Sequence, residues 1–197
     1  MGKVGMTQSK KIAVTGGIGS GKSVACRIIK EMGLPVFSCD EIYAEIIKRE
    51  EYVEQVKKAF PMCVVEGAVD RKRLSERVFH DEDERKKLNA IAHPLIMQEL
   101  FAQMELHSLS VAEVPLLFEE GLEGYFDGVL AITRDLRLRL DGVCKRDGLK
   151  EEQVTLRMNR QFPPTRLQEK NCTVIENNGT KDELKEKLEN YFRSFGA

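Results

Sequence analysis

The sequence predicts an α/β protein with a parallel sheet, and three observations support this fold class. Short apolar runs of strand length alternate along the chain with longer segments in which apolar residues recur at helical spacing. The first apolar run leads into a glycine-rich loop and then into a helix. Strands that alternate with helices form parallel sheets through crossover connections. We therefore expect a three-layer α/β/α architecture around a five-stranded parallel sheet, with a helical insertion.

The composition is that of one globular domain without a strong charge. The chain has 197 residues, of which 42% are hydrophobic and 32% charged, and its formal net charge is −1. Such a chain has no general attraction to nucleic acid or to a membrane surface, and no apolar run is long enough to span a bilayer. Anionic ligands must be bound by local groups. We expect no nucleic-acid partner, no membrane association and no obligate protein partner.

Five cysteines are spread over the chain. None forms a C-x-x-C pair, which argues against a zinc site and against a disulfide framework. The first eleven residues contain lysines but no apolar segment of the kind found in a signal peptide. We therefore expect reduced thiols in a cytoplasmic protein. The cysteines are Cys26, Cys39, Cys63, Cys144 and Cys172.

The segment 12–23 carries a phosphate-binding pattern. It fits G-x-x-x-x-G-K-[ST], with Gly16 first, Gly21 and Lys22 next, and Ser23 last. Glycines let the backbone direct successive N–H groups at one anion, and the helix that follows adds the positive end of its dipole. The lysine can reach the β- and γ-phosphates of a nucleotide, and the serine hydroxyl can bind Mg²⁺. We expect a P-loop fold and a nucleoside triphosphate site; a glycine-rich turn without a ligand is the disfavoured alternative, because every part occurs in the required order.

The elements up to residue 106 follow from apolar spacing and from helix-boundary residues. Gly33 ends the first helix, Ser38 with Glu41 forms a capping box for the next, and a break is expected near Glu50. Pro94 is expected at the first position of a new helix. The predicted elements are a helix over 22–32, a strand over 34–37, helices between 40 and 60, a turn or hairpin over 61–69, and helices over 70–79, 83–92 and from 94 onward.

The second half of the chain returns to alternating strands and helices. Strands are expected over 109–114, 128–133 and 173–175, and helices over 135–147, 151–161 and 182–195. We therefore expect a single P-loop domain over 11–197, preceded by a flexible extension over 1–10. The domain comprises a core of 11–38, 108–134 and 170–197, a helical region over 40–107, and an arginine-rich helical segment over 135–165.

Asp40 is the first candidate catalytic residue outside the loop. It lies just beyond the second predicted strand, and ligands of such sheets bind outside the carboxyl ends of the strands. The phosphate loop also follows its strand, so both are expected to open on the same crevice. A carboxylate there could orient an acceptor hydroxyl and take its proton during phosphoryl transfer. The alternative is an acidic first-turn residue that stabilises a helix dipole.

Arginines are concentrated between the fourth and the last predicted strands. One interpretation is a mobile flap in which one or two of them close on the transferring phosphate, because arginines stabilise its negative charge. The other is a solvated helical face, which is the usual role of a run of charges. The arginines are Arg134, Arg137, Arg139, Arg146, Arg157, Arg160 and Arg166.

Two further residues have a possible role at the site. His93, before Pro94, could contact a substrate phosphate or ribose, or it could be a packing or capping histidine. Glu113 ends the third predicted strand, where it could support a magnesium ion from the second coordination shell, or it could be an exposed strand-end carboxylate.

Together these motifs resemble the dephospho-coenzyme A kinase family over nearly the whole chain after residue 10. The P-loop alone is shared by many kinases, whereas the ordered set is much more specific. Upstream of Arg146 the family usually has Gln and Arg where this chain has Arg139 and Gly142, and Glu113 replaces a frequent Asp. The matching strings are TGGIGSGKS at 15–23, Asp40, LNA at 88–90 with HPLI at 93–96, VPLLFE at 114–119, KRDG at 145–148, Gln161, and IENNG at 175–179.

The resemblance implies ATP-dependent phosphorylation of the ribose 3′-hydroxyl of dephospho-CoA, with Mg²⁺, in the last step of coenzyme A synthesis. It also implies that the helical region over 40–107 binds CoA and that the segment 135–165 forms a helical lid. The residues we assign to ATP are Gly17, Gly19, Ser20, Gly21, Lys22, Ser23 and Val24. The other assignments are Asp40, Lys22 and Arg146 to catalysis, Asp40 and His93 to the acceptor, and Ser23 to the metal.

Three other functions remain open from the sequence. The nearest is a P-loop kinase that acts on a nucleoside or another small molecule. A nucleotide-switched binding protein such as a GTPase would need a guanine-reading N-K-x-D string, which the nearest segment, 177–180, does not supply. The third is a degenerate relative that binds CoA-like ligands without catalysis.

Overall fold

A computed structural model describes residues 9–79 and 81–195, and it confirms the predicted α/β fold with a five-stranded parallel sheet. The strands are β1 Lys10–Thr15, β2 Val36–Ser38, β3 Val64–Val65, β4 Ala68–Val69, β5 Leu109–Glu113, β6 Gly128–Thr133 and β7 Thr173–Glu176. The α-helices are α1 Lys22–Glu31, α2 Cys39–Ile46, α3 Glu50–Ala59, α4 Arg71–Phe79, α5 Glu82–Met104, α6 Leu136–Asp147, α7 Glu151–Met158 and α8 Lys181–Arg193. Single 3-10 turns occur at Pro61–Cys63, Glu123–Tyr125 and Pro164–Glu169.

Strand β1 lies at the centre of the large sheet, whose order is β2-β5-β1-β6-β7. Ala13 pairs with Ala112 of β5 on one side and with Val129 of β6 on the other. Ile12, Ala13 and Val14 are fully buried, as expected for a central parallel strand covered on both faces. Because β1, β5, β6 and β7 run in the same direction, the segments that follow them emerge at one edge of the sheet.

The core beside this sheet is formed by α1 and α8. Apolar residues of α1 and the stripe Leu184, Leu188 and Phe192 of α8 pack with the buried residues of β1, β5, β6 and β7. The i, i+4 spacing of the α8 residues places them on one face of the helix. Helix α1 is therefore fixed to the sheet along its length, and its first turn is held at the end of β1.

The segment Ser38–Glu105 forms a compact unit of its own. Helices α2, α3 and α4 pack against α5, and the expected hairpin is the pair β3–β4. Tyr52 is fully buried, and its hydroxyl lies 2.9 Å from the hydroxyl of Tyr43. Arg49 also donates to a carboxylate oxygen of Glu99 over 2.6 Å, which connects the start of α3 to α5.

The prediction of a new helix at Pro94 is wrong, because Pro94 lies inside one continuous helix, α5. The N-terminus of α5 is instead capped by Asp81, whose side chain accepts from the N–H groups of Asp83 and Glu84. Proline inside a helix removes one backbone hydrogen bond and is unfavourable. The packing of three helices against α5 outweighs this local cost, which no helix-boundary rule takes into account.

Other boundaries differ from the predictions by a few residues. Helix α7 ends at Met158, before the expected limit at 161, and β1 begins at Lys10, inside the segment expected to be flexible. Residues 1–8 of that segment lie outside the described residues. In the part of the chain that is described, no helix is both long enough and apolar enough to cross a membrane.

The N-terminus of α8 generates a stability prediction. The Thr180 hydroxyl accepts from the N–H of Glu183 over 3.2 Å, and the Glu183 carboxylate accepts from the N–H of Thr180 over 3.2 Å. Thr180→Ala removes this capping box and is expected to lower the free energy of unfolding by about 1 kcal/mol. Urea unfolding measures the change. Thr155→Ala, at an exposed position inside α7, is the control and should have little effect; equal losses in both variants would contradict the assignment.

Candidate functional site

The loop between β1 and α1 depends on glycines at defined positions. Gly16, Gly19 and Gly21 have φ angles of 146°, 77° and 92°, a region that other residues rarely adopt. A Cβ atom at Gly16 would collide with the carbonyl oxygen of Ile132, and one at Gly21 would collide with the side-chain amide of Asn177. The glycines thus permit both the backbone turn and the close approach of neighbouring strands.

The loop leads directly into the first turn of α1. Lys22 Nζ donates to the carbonyl oxygen of Gly16 over 2.5 Å, so the lysine side chain folds back across the loop. The first turn of α1 contains no acidic side chain that would compete for the positive end of the helix. Ser20 is almost fully buried, and within the described residues its hydroxyl has no hydrogen-bond partner. These features favour an anion in the loop.

Ser23 and Glu113 lie together at the end of β5. The Ser23 hydroxyl donates to a carboxylate oxygen of Glu113 over 3.2 Å. Cys26, one turn further along α1, is also hydrogen-bonded to Glu113, and its burial, together with the charge of Glu113 and this bond, raises the pKa of its thiol. The thiol is therefore neutral and inert at physiological pH. A hydroxyl beside a carboxylate is a suitable oxygen donor set for a hard divalent cation.

Side chains from α6 and from the segments that follow α7 and β7 hold the outside of the loop. Asn177 donates to the carbonyl oxygen of Ser20 over 2.9 Å. The N–H of Ile18 donates to Gln161 Oε1 over 2.7 Å, and Arg139 Nε donates to the Ile18 carbonyl oxygen over 2.9 Å. The side chain of Ile18 also packs against the apolar cluster of α6 and α7. The loop is therefore fixed by hydrogen bonds to its backbone and by the packing of the Ile18 side chain at its tip.

Sequence reasoning missed these three supports. Asn177 and Gln161 were noted as part of a family resemblance, and Arg139 as one of many arginines and as a departure from that family's pattern. The position of Asn177, directly after β7, could have suggested its role, since the ends of neighbouring parallel strands meet at one edge of the sheet. Nothing in local spacing could have identified Gln161.

Three of the seven clustered arginines form exposed ion pairs, namely Arg137, Arg146 and Arg166. Arg137 pairs with Asp141 and Glu151, and Arg166 pairs with Glu169. This is the arrangement expected of a solvated helical face. Arg139 differs, because only 6% of its surface is exposed and burial lowers its pKa below the usual arginine value.

Arg146, the predicted lid arginine, lies in the last turn of α6. It binds the carboxylate of Asp147 through two hydrogen bonds of 2.7 and 3.0 Å, and the side chain is exposed. It lies one turn beyond Val143, whose methyl group is 2.8 Å from the position of a Cβ on Gly19. Helix spacing therefore places Arg146 on the face of α6 that meets the loop.

The two predicted acceptor residues belong to the unit Ser38–Glu105. Asp40 lies in the first turn of α2, two residues beyond the end of β2, and it is exposed. The predicted N-cap is present, because the Ser38 hydroxyl accepts from the N–H of Glu41 over 3.4 Å. His93 is half-buried in the middle of α5 rather than at the start of a helix.

Fold and loop together place the chain in the class of P-loop proteins. Comparison with known proteins gives the family: the dephospho-CoA kinase profile matches residues 10–183. A curated dephospho-CoA kinase of Geobacillus kaustophilus is 37% identical over 185 residues, which cover 90% of this chain and 92% of that protein. One from Thermus thermophilus is 38% identical over 181 residues, covering 90% and 87%. The chain belongs to the dephospho-CoA kinase family.

Solved structures agree with this placement. A crystal structure from Thermus thermophilus superposes with a TM-score of 0.83 at 34% identity, covering 95% of this chain and 98% of that one. A shikimate kinase from Acinetobacter baumannii, in complex with shikimate, superposes with a TM-score of 0.58 at 15% identity, covering 94% and 93%. The second likeness concerns the fold alone.

The close approach at Gly21 generates a prediction about binding. Gly21→Ala would place a methyl group against the Asn177 amide in a strained backbone conformation, so the loop must shift. We expect ADP affinity to fall at least about tenfold, which corresponds to roughly 1.4 kcal/mol. Isothermal titration with Mg-ADP measures it. Gly124→Ala, where a Cβ would meet nothing within 4 Å, is the control; equal affinities in the two variants would contradict the close approach.

Proposed function

We propose that the chain transfers the γ-phosphoryl group of ATP to the ribose 3′-hydroxyl of dephospho-CoA, giving coenzyme A. Membership of the family supports the reaction. The observation that carries it in this chain is the glycine loop, fixed from outside and continuous with a helix whose first turn holds Lys22 and Ser23. Such a loop binds polyphosphate rather than an arbitrary anion.

In this proposal the loop holds the nucleotide through its backbone. Amides from Gly17 to Val24 surround the phosphates, with Gly19, Ser20 and Gly21 at the turn. Lys22 exchanges its contact with the Gly16 carbonyl for the β- and γ-phosphates. Because these groups are fixed before the reaction, most of the rate gain comes from positioning and electrostatics.

Mg²⁺ fits the same end of the loop. The Ser23 hydroxyl would bind the ion directly, and Glu113, 3.2 Å from that hydroxyl, would support it through water. When bound, the ion neutralises charge on the β- and γ-phosphates. Glu113 also accepts the hydrogen bond that orients the Ser23 hydroxyl. The two side chains proposed for the metal site are therefore already hydrogen-bonded to each other.

We assign the acceptor side to Asp40, supported by its place in the chain. It follows the carboxyl end of β2 directly, is exposed, and has a carboxylate that can accept the proton of an attacking hydroxyl. His93 is the proposed second contact of the acceptor, with the helical region over 40–107 as the CoA-binding part. The proposal keeps the residue boundaries expected from the sequence, with the core over 11–38, 108–134 and 170–197 and the lid over 135–165.

Arg146 is the proposed cation that closes over the transferring group. Its present partner, Asp147, is the adjacent residue on an exposed surface, and such pairs contribute little to stability. Exchange of the Asp147 carboxylate for a phosphate is therefore inexpensive. A phosphate accepts the same two-pronged hydrogen bonds from the guanidinium.

We further propose that the enzyme acts in the cytoplasm without a protein partner. None of the five cysteines, all of which lie in the described part of the chain, forms a disulfide, which suits a reducing compartment. A nucleotide-switched binding protein is disfavoured, because Asn177 binds the Ser20 carbonyl and Asn178 pairs with Asp135, so neither amide is arranged for a guanine.

The direct test is the reaction itself. The purified chain, incubated with Mg-ATP and dephospho-CoA, should give ADP and a product one phosphate heavier, detected by mass spectrometry. Adenosine, a second nucleoside and shikimate are tested in parallel as alternative acceptors. Faster transfer to one of these would replace dephospho-CoA in the proposal, and ADP formation that no acceptor accelerates would favour hydrolysis.

The role of Asp40 generates a further prediction. Asp40→Asn preserves the shape of the side chain but cannot take a proton, so we expect turnover to fall about 100- to 10,000-fold with unchanged ADP affinity. Steady-state kinetics and titration calorimetry measure both. Glu41→Gln, the neighbouring exposed carboxylate in the same helical turn, is the control and should retain turnover. Near-normal turnover in Asp40→Asn would remove Asp40 from the mechanism.

A further inference from the structure

Arg139 is a buried cation at the phosphate loop. Its guanidinium donates through Nε to the Ile18 carbonyl, and only 6% of the residue is exposed. Among the described residues no ion pair includes Arg139, and the one cause of its lowered pKa is burial. A buried unpaired charge is strongly unfavourable in a protein. Some function of the charge must therefore offset this cost.

The guanidinium reaches the glycine loop at a second point. Nη2 of Arg139 lies 2.5 Å from the position that a Cβ on Gly17 would occupy, and the Arg139 backbone lies 3.0 Å from that of a Cβ on Gly19. Gly16, Gly17, Ser20 and Arg139 line one recess. The positive charge is thus within the loop's own surroundings rather than on the outer face of α6.

Arg139 could act on the loop in two ways, by anchoring Ile18 or by supplying a positive charge. Gln161 holds the N–H of the same residue, Ile18, and the Ile18 side chain packs on the cluster of α6 and α7. The tip of the loop would remain attached to these helices without the guanidinium. Among these described contacts of Ile18, the one that carries a positive charge is that of the Arg139 guanidinium.

We propose that Arg139 is a positioning residue whose buried charge and hydrogen bond to Ile18 hold the phosphate loop in its polyphosphate-binding form. The nucleotide phosphates are the missing counter-charge. The inference rests on the proposed function only in taking a nucleotide as the ligand of this loop, and it requires no particular acceptor. Its main consequence is that Arg139 stabilises the liganded protein more than the unliganded one.

Three variants separate charge from hydrogen bonding. Arg139→Met removes both, Arg139→Gln keeps a donor without charge, and Arg139→Lys keeps the charge without the planar fork. We expect the affinity for Mg-ADP to fall about 10- to 100-fold in the Met variant, with Lys binding more tightly than Gln. The unliganded melting temperature of the Met variant should be unchanged or higher, because the buried unpaired charge is gone.

Calorimetry with Mg-ADP at two salt concentrations and thermal unfolding with and without Mg-ADP provide the measurements. Arg137→Met, on the same helix but exposed and ion-paired, is the control and should leave binding unchanged. With Mg-ATP, the Arg139 variants should show a raised KM and a smaller change in kcat.

The contradictory results are equally specific. A purely structural role would lower the unliganded melting temperature of Arg139→Met while its ADP affinity stayed within about twofold of the parent protein. If Arg139→Gln binds Mg-ADP as tightly as Arg139→Lys, the positive charge has no part in binding. If Arg139→Met does not fold, the Mg-ADP affinities of Arg139→Lys and Arg139→Gln still test the proposal. A parent protein that binds Mg-ADP but does not phosphorylate dephospho-CoA would overturn only the proposed function, and one that binds no nucleotide would overturn both.

Discussion

Backbone N–H groups that point at one place repel one another until an anion occupies it, so a phosphate loop needs outside support. Here that support comes from several elements at once. Lys22 crosses back to Gly16, Asn177 holds Ser20, and Arg139 with Gln161 holds Ile18. The loop cannot relax into an ordinary turn without breaking these contacts. The anion site is therefore a property of the whole core, rather than of the glycine pattern alone.

The parallel sheet explains how distant segments reach one loop. β1 carries the loop, β5 brings Glu113 to Ser23, β6 brings Ile132 against Gly16, and β7 brings Asn177 to Ser20. All four contributions come from the ends of strands that run in the same direction. Burial of the α1 and α8 side chains on this sheet then fixes the helix whose first turn completes the site. The pairing register of the parallel strands thus determines both the packing of the sheet and the positions of the groups around the loop.

Local sequence was sufficient for the elements and for the loop. The strand over 128–133 was predicted with both ends correct, because its apolar run is bounded by a glycine and by a charged segment. The glycine loop was identifiable because its residue types have a direct mechanism. Pro94 was misassigned, because the packing of α2, α3 and α4 on α5 overrides a helix-boundary signal.

The supports of the loop could not be predicted in the same way. Arg139 and Ile18 are 121 residues apart, and Gln161 and Ile18 are 143 apart. No periodic pattern connects such residues, and a run of arginines gives no sign of which one is buried. The acceptor residues stay predictions. Asp40 was proposed from its place after a strand, and its role depends on chemistry that no sequence pattern contains.

The most direct test of the account is a crystal structure of the chain with Mg²⁺ and a non-hydrolysable ATP analogue. The account predicts the β-phosphate within hydrogen-bonding distance of the backbone amides from Gly19 to Ser23, with Lys22 Nζ on the phosphates rather than on the Gly16 carbonyl. A nucleotide bound elsewhere, with Lys22 still on Gly16, would contradict it.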